Sequence, residues 1–120
     1  MAYPKEVVII SGARTPVGRF GGSFKDMRTS DLGAIAIKAA LERSGVSPDA
    51  VDEVIMGNVL QAAETGYTAR RAMLMAGIPD HVPAMTINRA CSSGLESINL
   101  AVQAIMTGES EVVVAGGMDS

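Results

Sequence analysis

Residues 84–108, AMTINRACSSGLESINLAVQAIMTG, join an apolar extended segment directly to a long apolar helix pattern. From residue 91 to residue 107 the only charged side chain is Glu96, and Gly108 follows as a natural helix end. One narrow polar stripe is formed by Ser92, Glu96, Asn99, Gln103 and Thr107, and mostly apolar side chains cover the remaining sides. This pattern is typical of a buried helix. We therefore predict a strand over residues 84–88 and a buried helix from about residue 91 to residue 107.

Strand and helix patterns alternate along the rest of the chain. Further strands are predicted for EVVIIS (residues 6–11), DEVIMGN (52–58) and EVVVAGG (111–117). Further helices are predicted from residue 29 to about residue 44, with candidate N-caps at residues 29–31, and over residues 67–76. This alternation predicts an α/β layered fold. Because the chain ends at Ser120, directly after a predicted core strand, we expect it to be a piece of a longer protein.

The composition limits the class of protein. The chain has 120 residues, 48% of them hydrophobic, which is enough for one small domain with a buried core. Its net charge of −3 and its few aromatic residues argue against a nucleic-acid partner. No apolar stretch approaches the roughly 20 residues that cross a membrane, and the first ten residues lack a secretory pattern. A single cysteine excludes an internal disulfide and fits a reducing compartment, so a cytoplasmic location is expected.

A glycine-rich segment, GARTPVGRFGGSFKDMR (residues 12–28), follows the first predicted strand. It contains neither of the glycine fingerprints that cradle phosphate groups, G-x-G-x-x-G and G-x-x-x-x-G-K-[ST]. A structural loop with unusual backbone angles is therefore favoured over a phosphate site.

Other polar residues give weaker signals. His81 is the only histidine, but its turn precedes the strand that Cys91 follows, so a Cys-His pair is not favoured. The adjacent Arg70 and Arg71 fit a solvated or interface face better than a phosphate clamp. No group of His, Cys, Asp or Glu has the spacing of a metal site, so no metal is expected.

Cys91 lies at the junction between the predicted strand and the predicted helix. The positive end of the helix dipole and the unpaired N–H groups there favour a thiolate, the reactive form of the side chain. Burial among apolar side chains would oppose the thiolate, and inert buried cysteines are common. Gly94 permits close approach of a substrate or of neighbouring backbone. Position and composition alone leave both a nucleophile and an inert core residue open.

Five segments together resemble the thiolase family, which comprises acetyl-CoA acetyltransferases and 3-ketoacyl-CoA thiolases. They occur in the family's order: SGARTPVGRFGGSFKD, GNVLQ, ARRAMLMAGIP, INRACSSGLESI and VVVAGGMDS. Thiolases carry their acylated cysteine in a CSSG-type motif, so the resemblance implies that Cys91 is the catalytic nucleophile. It also implies a thiolase-like layered fold. Residues 1–120 would then be the N-terminal part of its N-terminal domain, without the loop domain and the C-terminal domain.

The reaction that the resemblance implies is acyl transfer between thioesters, an EC 2.3.1 activity of fatty acid metabolism. The Cys91 thiolate would attack a 3-ketoacyl-CoA, release acetyl-CoA and pass its acyl group to coenzyme A; condensation is the reverse path. Coenzyme A and acyl-CoA are substrates in this scheme, and no permanently bound cofactor is implied. The backbone N–H of Cys91 is an expected oxyanion donor. CSSGL resembles degradative members somewhat more than biosynthetic ones.

The resemblance also bears on assembly. Thiolases pair their subunits near the segment that corresponds to AMTIN, so a homodimer or homotetramer is expected. The family's catalytic histidine, second cysteine and water-positioning asparagine belong to later segments, so residues 1–120 alone are expected to lack turnover. The alternative is a non-catalytic thiolase-like α/β module or assembly subunit, and the reactivity of Cys91 distinguishes the two.

Overall fold

The computed structural model of the chain describes residues 5–64 and 66–120. Within these residues, helices and strands alternate as predicted, and the α/β layered fold is confirmed. The elements are α1 (Thr29–Ser44), a short 3-10 helix (Pro48–Ala50), β1 (Glu53–Gly57), α2 (Thr68–Met75), β2 (Ala84–Ile87), α3 (Ser93–Met106) and β3 (Val113–Gly117).

The three strands form one parallel sheet in the order β2-β1-β3. Val54 in β1 is aligned with Ala84 in β2 and with Val114 in β3. Helix α3 packs on β1 and β3, whereas α2 packs on β1 and β2 and is covered by α1. Because all three strands run in the same direction, their carboxyl ends lie at one edge of the sheet. The turns that follow the strands therefore meet at this edge, where α/β proteins bind ligands.

The main hydrophobic core lies between the sheet and the layer formed by α1 and α2. Successive side chains of a strand point to opposite faces, so Val54 and Met56 face this core, whereas Ile55 faces α3. The cluster consists of Ala34, Ile37, Leu41, Val51, Val54, Met56, Ala69, Ala72, Met73, Ala76, Ile78, Val82 and Met118. Burial of apolar surface is the main favourable term in folding, and the central strand β1 contributes Val54 and Met56 to it.

Helix α1 begins and ends close to the predicted residues. Its N-cap is Arg28 rather than one of residues 29–31, and the Asp31 carboxylate accepts the N–H of Arg28 at 2.9 Å. The N–H and the hydroxyl of Ser30 both donate hydrogen bonds to the carboxylate of Glu64, which lies in the loop before α2. At its end, Gly45 has a φ of 73°, the left-handed conformation that glycine favours at this position.

Helix α3 differs from its prediction as a buried helix. The buried positions are the small ones, namely Ser93, Ser97, Ala101 and Ala104. Leu95 is 64% exposed and Ile98 is 39% exposed, because no described element covers that side of the helix. The small side chains instead allow the helix to approach the sheet closely.

The predicted strand over residues 6–11 is wrong for the described chain. The segment forms no regular element, and it pairs with no described strand. An apolar groove of about 400 Å³ lies between this segment and β3, and residues of α1 and α3 also line it. Consequently Ile9 is 82% exposed. The segment is held at its end, where Ser11 donates to the carbonyl of Ala40 and Arg43 donates to the carbonyl of Gly12.

The glycine-rich loop over residues 12–28 forms turns and contains no regular helix or strand. Gly21 has a φ of 67°, which bears out the prediction of unusual backbone angles. Among the described residues, no helix is both long enough and apolar enough to span a bilayer.

Candidate active site

Cys91 lies in the turn that connects β2 to α3, at the edge of the sheet where the carboxyl ends of the strands meet. Its side chain is a free thiol and is exposed. Within the described residues, the thiol is therefore not part of the hydrophobic core, and its role as the nucleophile stays a prediction. Helix α3 begins at Ser93 rather than at Cys91, so the thiol precedes the helix by two residues.

The turn before the helix has an uncommon backbone conformation. Ala90 has a φ of 49°, in the left-handed region that residues with a Cβ rarely adopt. The side chain of Asn88 supports this conformation, because its Oδ1 accepts the N–H of Ala90 at 3.0 Å. A strand, a strained turn that carries Cys91, and a helix follow one another in the same order as in the nucleophile elbow of unrelated hydrolases.

The N-terminus of α3 is not closed by a side-chain cap. Ser92 occupies the N-cap position but makes no capping hydrogen bond. Its hydroxyl instead donates to the carbonyl of Arg89 at 2.8 Å. The N–H of Ser93, the first residue of the helix, donates to the carbonyl of Ala90 at 3.1 Å. The positive end of the helix dipole lies next to the turn of Cys91 and favours negative charge there.

Two glycines bring the start of α3 against the sheet. A Cβ placed on Gly57 would lie 2.7 Å from the carbonyl carbon of Ser93, which is shorter than real Cβ contacts. Gly117, in the neighbouring strand, lies against Gly94, and a Cβ there would be 3.4 Å from its Cα. A larger residue at position 57 would displace the first turn of α3, whereas a Cβ at Gly117 would make an ordinary van der Waals contact. Gly57 therefore limits how close the start of α3, and the turn before it, lies to the sheet.

A polar network lies next to the turn, at the ends of β1 and β3, and joins the buried Asn58 to the exposed Asp119. Asn58 is fully buried, and its amide donates to the carbonyl of Met118 at 3.0 Å and to the carboxylate of Asp119. Its carbonyl oxygen accepts the hydroxyl of Thr68 at 2.8 Å. The Asp119 carboxylate also accepts the N–H of Leu60 at 2.9 Å, which fixes the loop after β1.

This network extends to the turn that carries Cys91. Asp119 accepts the N–H of Val59 at 3.1 Å, and the amide of Asn88 donates to the carbonyl of Val59 at 3.5 Å. The segments GNVLQ, INRACSSG and GGMDS therefore meet at one edge of the sheet. Sequence reasoning missed Asn58 and Asp119 as supports of this site. Their positions in the sequence could have indicated this role, because each residue closely follows the carboxyl end of a strand.

The remaining predicted polar residues lie away from Cys91 or have structural partners. His81 precedes β2, so it lies at the opposite end of the strand from Cys91. Arg70 donates to the carbonyl of Asp80 at 2.9 Å and thereby fixes that turn. Arg71 lies 3.8 Å from Glu64. Within residues 5–64 and 66–120, no three metal-ligating side chains are grouped closely enough to hold an ion.

One charged pair lies on the surface near the thiol. The guanidinium of Arg89 is 3.2 Å from the carboxylate of Glu96, and the Arg89 side chain is 68% exposed. Such an exposed pair contributes little to stability, so it is a weak restraint on the turn. An open cleft of about 950 Å³ lies beyond Asp119, against the glycine-rich loop, and Cys91 is not among its lining residues.

The family model of the thiolase N-terminal domain matches residues 7–120, so the chain belongs to the thiolase family. An acetyl-CoA acetyltransferase of Cupriavidus necator is 56% identical to it over 115 residues, which are 96% of this chain and 29% of that protein. A probable acetyl-CoA acyltransferase of Staphylococcus aureus is 50% identical over 114 residues, which are 95% of this chain and 29% of that protein.

The fold of a solved relative agrees with this assignment. The crystal structure of the Bacillus anthracis acetyl-CoA acetyltransferase matches with a TM-score of 0.90 and 45% sequence identity. The match covers 94% of this chain and 29% of that chain. The thiolase-like layered fold is therefore confirmed, and the chain spans about 29% of the length of the relatives it matches.

Proposed function

We propose that the whole protein is a thiolase-type acyltransferase of the EC 2.3.1 class that makes or cleaves 3-ketoacyl-CoA through an acyl group on Cys91. The observation that carries this proposal is the position of the Cys91 thiol. It is exposed, lies at the carboxyl edge of a parallel sheet and precedes an uncapped helix N-terminus. A thioester chemistry fits this placement, because a thiolate both attacks carbonyl carbons and leaves readily.

In the cleavage direction, the Sγ of Cys91 forms a bond to the C3 carbonyl carbon of a 3-ketoacyl-CoA. The bond between C2 and C3 then breaks, and its electron pair stays on C2 of the departing acetyl-CoA, which takes up a proton. The thiolate of coenzyme A attacks the thioester on Cys91, and the Cys91 thiolate leaves. Both tetrahedral intermediates carry an oxyanion.

Residues of this chain supply the nucleophile and part of its electrostatic environment. The backbone N–H of Cys91 is the proposed oxyanion donor, and the uncapped start of α3 adds a favourable dipole. The proposed acid and base are the later histidine and cysteine that the family resemblance implies. A helix terminus contributes only about 0.3–2 kcal/mol, so residues 1–120 alone are expected to lack turnover. A positioned acid or base contributes about 10²–10⁴-fold.

The proposal also covers the substrates, the oligomeric state and the cellular location of the whole protein. Coenzyme A and acyl-CoA are proposed as substrates, with no permanently bound cofactor. A homodimer or homotetramer is proposed with β2 at or near the contact, which fits the position of β2 at the edge of the sheet. The domain assignment is also proposed, with residues 1–120 in the N-terminal part of the N-terminal domain. The proposed setting is cytoplasmic fatty acid metabolism.

The test is acyl transfer to Cys91 in the full-length protein. Brief incubation with acetyl-CoA, followed by peptide mass mapping, should place a labile acetyl group on Cys91. Cys91→Ala should remove both the label and the thiolysis of acetoacetyl-CoA. Thermal unfolding of the variant distinguishes a loss of chemistry from a loss of folding. Unchanged turnover in folded Cys91→Ala would falsify the proposal. A folded wild-type protein with unlabelled Cys91 and no turnover would instead favour the non-catalytic module.

A further inference from the structure

The hydroxyl of Ser93 bridges the two residues that precede Cys91. Ser93 is the first residue of α3 and is only 4% exposed. Its Oγ accepts the N–H of Arg89 at 2.7 Å and donates to the carbonyl of Ala90 at 2.7 Å. One side-chain atom therefore fixes the backbone on both sides of the peptide bond that joins Arg89 to Ala90.

The turn needs such a restraint because of its backbone conformation. Ala90 lies in the left-handed region, at a φ of 49°, which is unfavourable for a residue with a Cβ. Strained backbone of this kind persists only where surrounding contacts hold it. Asn88 holds the turn from the exposed side, through the N–H of Ala90. Ser93 holds it from the buried side.

Ser93 is itself fixed by the sheet. A Cβ placed on Gly57, at the carboxyl end of β1, would lie 2.8 Å from the Cβ of Ser93. The close approach leaves Ser93 little room to move relative to β1. Ser93 therefore links the carboxyl end of β1, by packing, to the turn that carries the thiol, by hydrogen bonds.

The acceptor role of the Ser93 hydroxyl distinguishes it from an ordinary helix serine. Ser97 is also buried on α3, and its hydroxyl donates to the carbonyl of Gly94, three residues earlier. Ser93 makes the same type of bond to Ala90, but it additionally accepts the N–H of Arg89. Ser97 therefore provides a matched control, since its removal deletes a buried hydroxyl from the same helix face without touching the turn.

We propose that Ser93 is a positioning residue for Cys91, and that its bridging hydroxyl holds the strained turn so that the thiol is directed at the start of α3. The proposal rests on the proposed function, in which Cys91 carries the acyl group. Ser93 does not contact the reacting atoms. Its loss should therefore affect the rate of the chemical step, with little change in substrate affinity.

The experiment compares Ser93→Ala, Ser93→Thr and Ser97→Ala in the full-length protein, by steady-state thiolysis of acetoacetyl-CoA and by thermal unfolding. Ser93→Ala should lower kcat by about 10- to 100-fold, as expected for a misplaced reacting group, with KM nearly unchanged. Ser93→Thr retains the hydroxyl, so its kcat should exceed that of Ser93→Ala, even though its added methyl group lowers stability at this tightly packed position. Ser97→Ala should lose stability while retaining kcat.

A second readout separates this proposal from the function on which it rests. The rate of Cys91 alkylation by iodoacetamide, measured over a range of pH, needs no acyl-CoA chemistry and should change in Ser93→Ala but not in Ser97→Ala. Turnover retained by Cys91→Ala would refute the proposed function, while the alkylation rates would still test Ser93. If Ser93→Ala does not fold, Asn88→Ala interrupts the same turn from its exposed side and should lower kcat in the same way. Wild-type kcat and alkylation in the folded variant, or equal losses in Ser93→Ala and Ser97→Ala, would overturn the role of Ser93.

Discussion

Gly57 and Ser93 are in direct contact at the carboxyl end of β1. A Cβ on Gly57 would lie 2.7 Å from the carbonyl carbon of Ser93 and 2.9 Å from the backbone nitrogen of Gly94. These neighbours are backbone atoms, which cannot rotate away as the end of a flexible side chain can. This contact therefore packs the start of α3 against the sheet, and the turn that carries Cys91 directly precedes this point.

Gly57→Ala should displace the first turn of α3 and lower both stability and activity. Overpacking of this type costs about 1–3 kcal/mol, which should appear as a lower midpoint in urea unfolding. Thiolysis should fall as well, because Cys91 moves with the turn. Gly12→Ala is the matched control, since a Cβ on Gly12 has no described atom within 4 Å. Equal stability of the two variants would contradict the packing role of Gly57.

Asn58→Ala should destabilise the edge of the sheet next to the turn. Asn58 is fully buried, and its side chain makes hydrogen bonds to Thr68, Met118 and Asp119. Its removal leaves buried partners without hydrogen bonds, which costs about 1–3 kcal/mol. Asn99→Ala changes an exposed asparagine of α3 and should leave the free energy of unfolding near the wild-type value. Comparable unfolding curves for both variants would show that the network contributes little.

The alternation of strands and helices was predictable because it follows from local patterns of apolar residues. The strand over residues 53–57 and the helix over residues 68–75 are both close to their predicted bounds. The segment 6–11 has an equally strong strand pattern, yet no described strand lies beside it. A strand requires a hydrogen-bonding partner, and β-branched residues in series do not reveal whether one is present.

The place of Cys91 between a strand and a helix was predictable from the sequence, whereas the residues that support its turn were not. The role of Cys91 as the nucleophile stays a prediction, based on this position and on the motif around it. The bridging role of Ser93 depends on the left-handed conformation of Ala90, and alanine gives no sequence signal for a positive φ. The contact of Asn58 with Asp119 joins residues 61 positions apart, so only the order of the strands brings them together.

The stability of the chain should fall at low pH partly through Asp52. The N–H of Val112, followed by that of Glu111, donates to the Asp52 carboxylate and lowers its pKa below the usual aspartate value, against a smaller opposing effect of desolvation. Because the folded-state pKa is lowered, the stabilisation is fully present above the unfolded pKa of about 3.9. It is lost as the pH falls through the lower folded value.

Asp52→Asn should remove this pH-dependent contribution. The difference in unfolding free energy between wild type and Asp52→Asn should be constant at neutral pH and should shrink at pH values below about 4. Urea unfolding at a series of pH values measures this difference. The control is Asp49→Asn, at the nearby 3-10 helix. Its unfolding free energy should decrease at low pH as it does in the wild type. If Asp52→Asn lost as much unfolding free energy as the wild type below about pH 4, the role of Asp52 would be contradicted.

Met85→Lys should weaken the proposed assembly of the full-length protein. Strand β2 pairs with β1 on one side and lies at the edge of the described sheet on the other. Met85 is 39% exposed on the face of this edge strand that Ile55 shares, so the strand presents apolar surface next to its free edge. A lysine on an edge strand opposes pairing, because its charge would have to be desolvated at the contact.

Sedimentation at micromolar concentration should therefore shift from the wild-type assembly towards the monomer in Met85→Lys. Met75→Lys is the matched control, because Met75 is 49% exposed at the end of α2, away from the edge of the sheet. Circular dichroism should show that both variants keep the wild-type helix content, so that a shift reports assembly rather than unfolding. A Met85→Lys protein that sediments as the wild-type assembly would place the contact elsewhere. A wild-type protein that sediments as a fully active monomer would remove the proposed oligomer altogether.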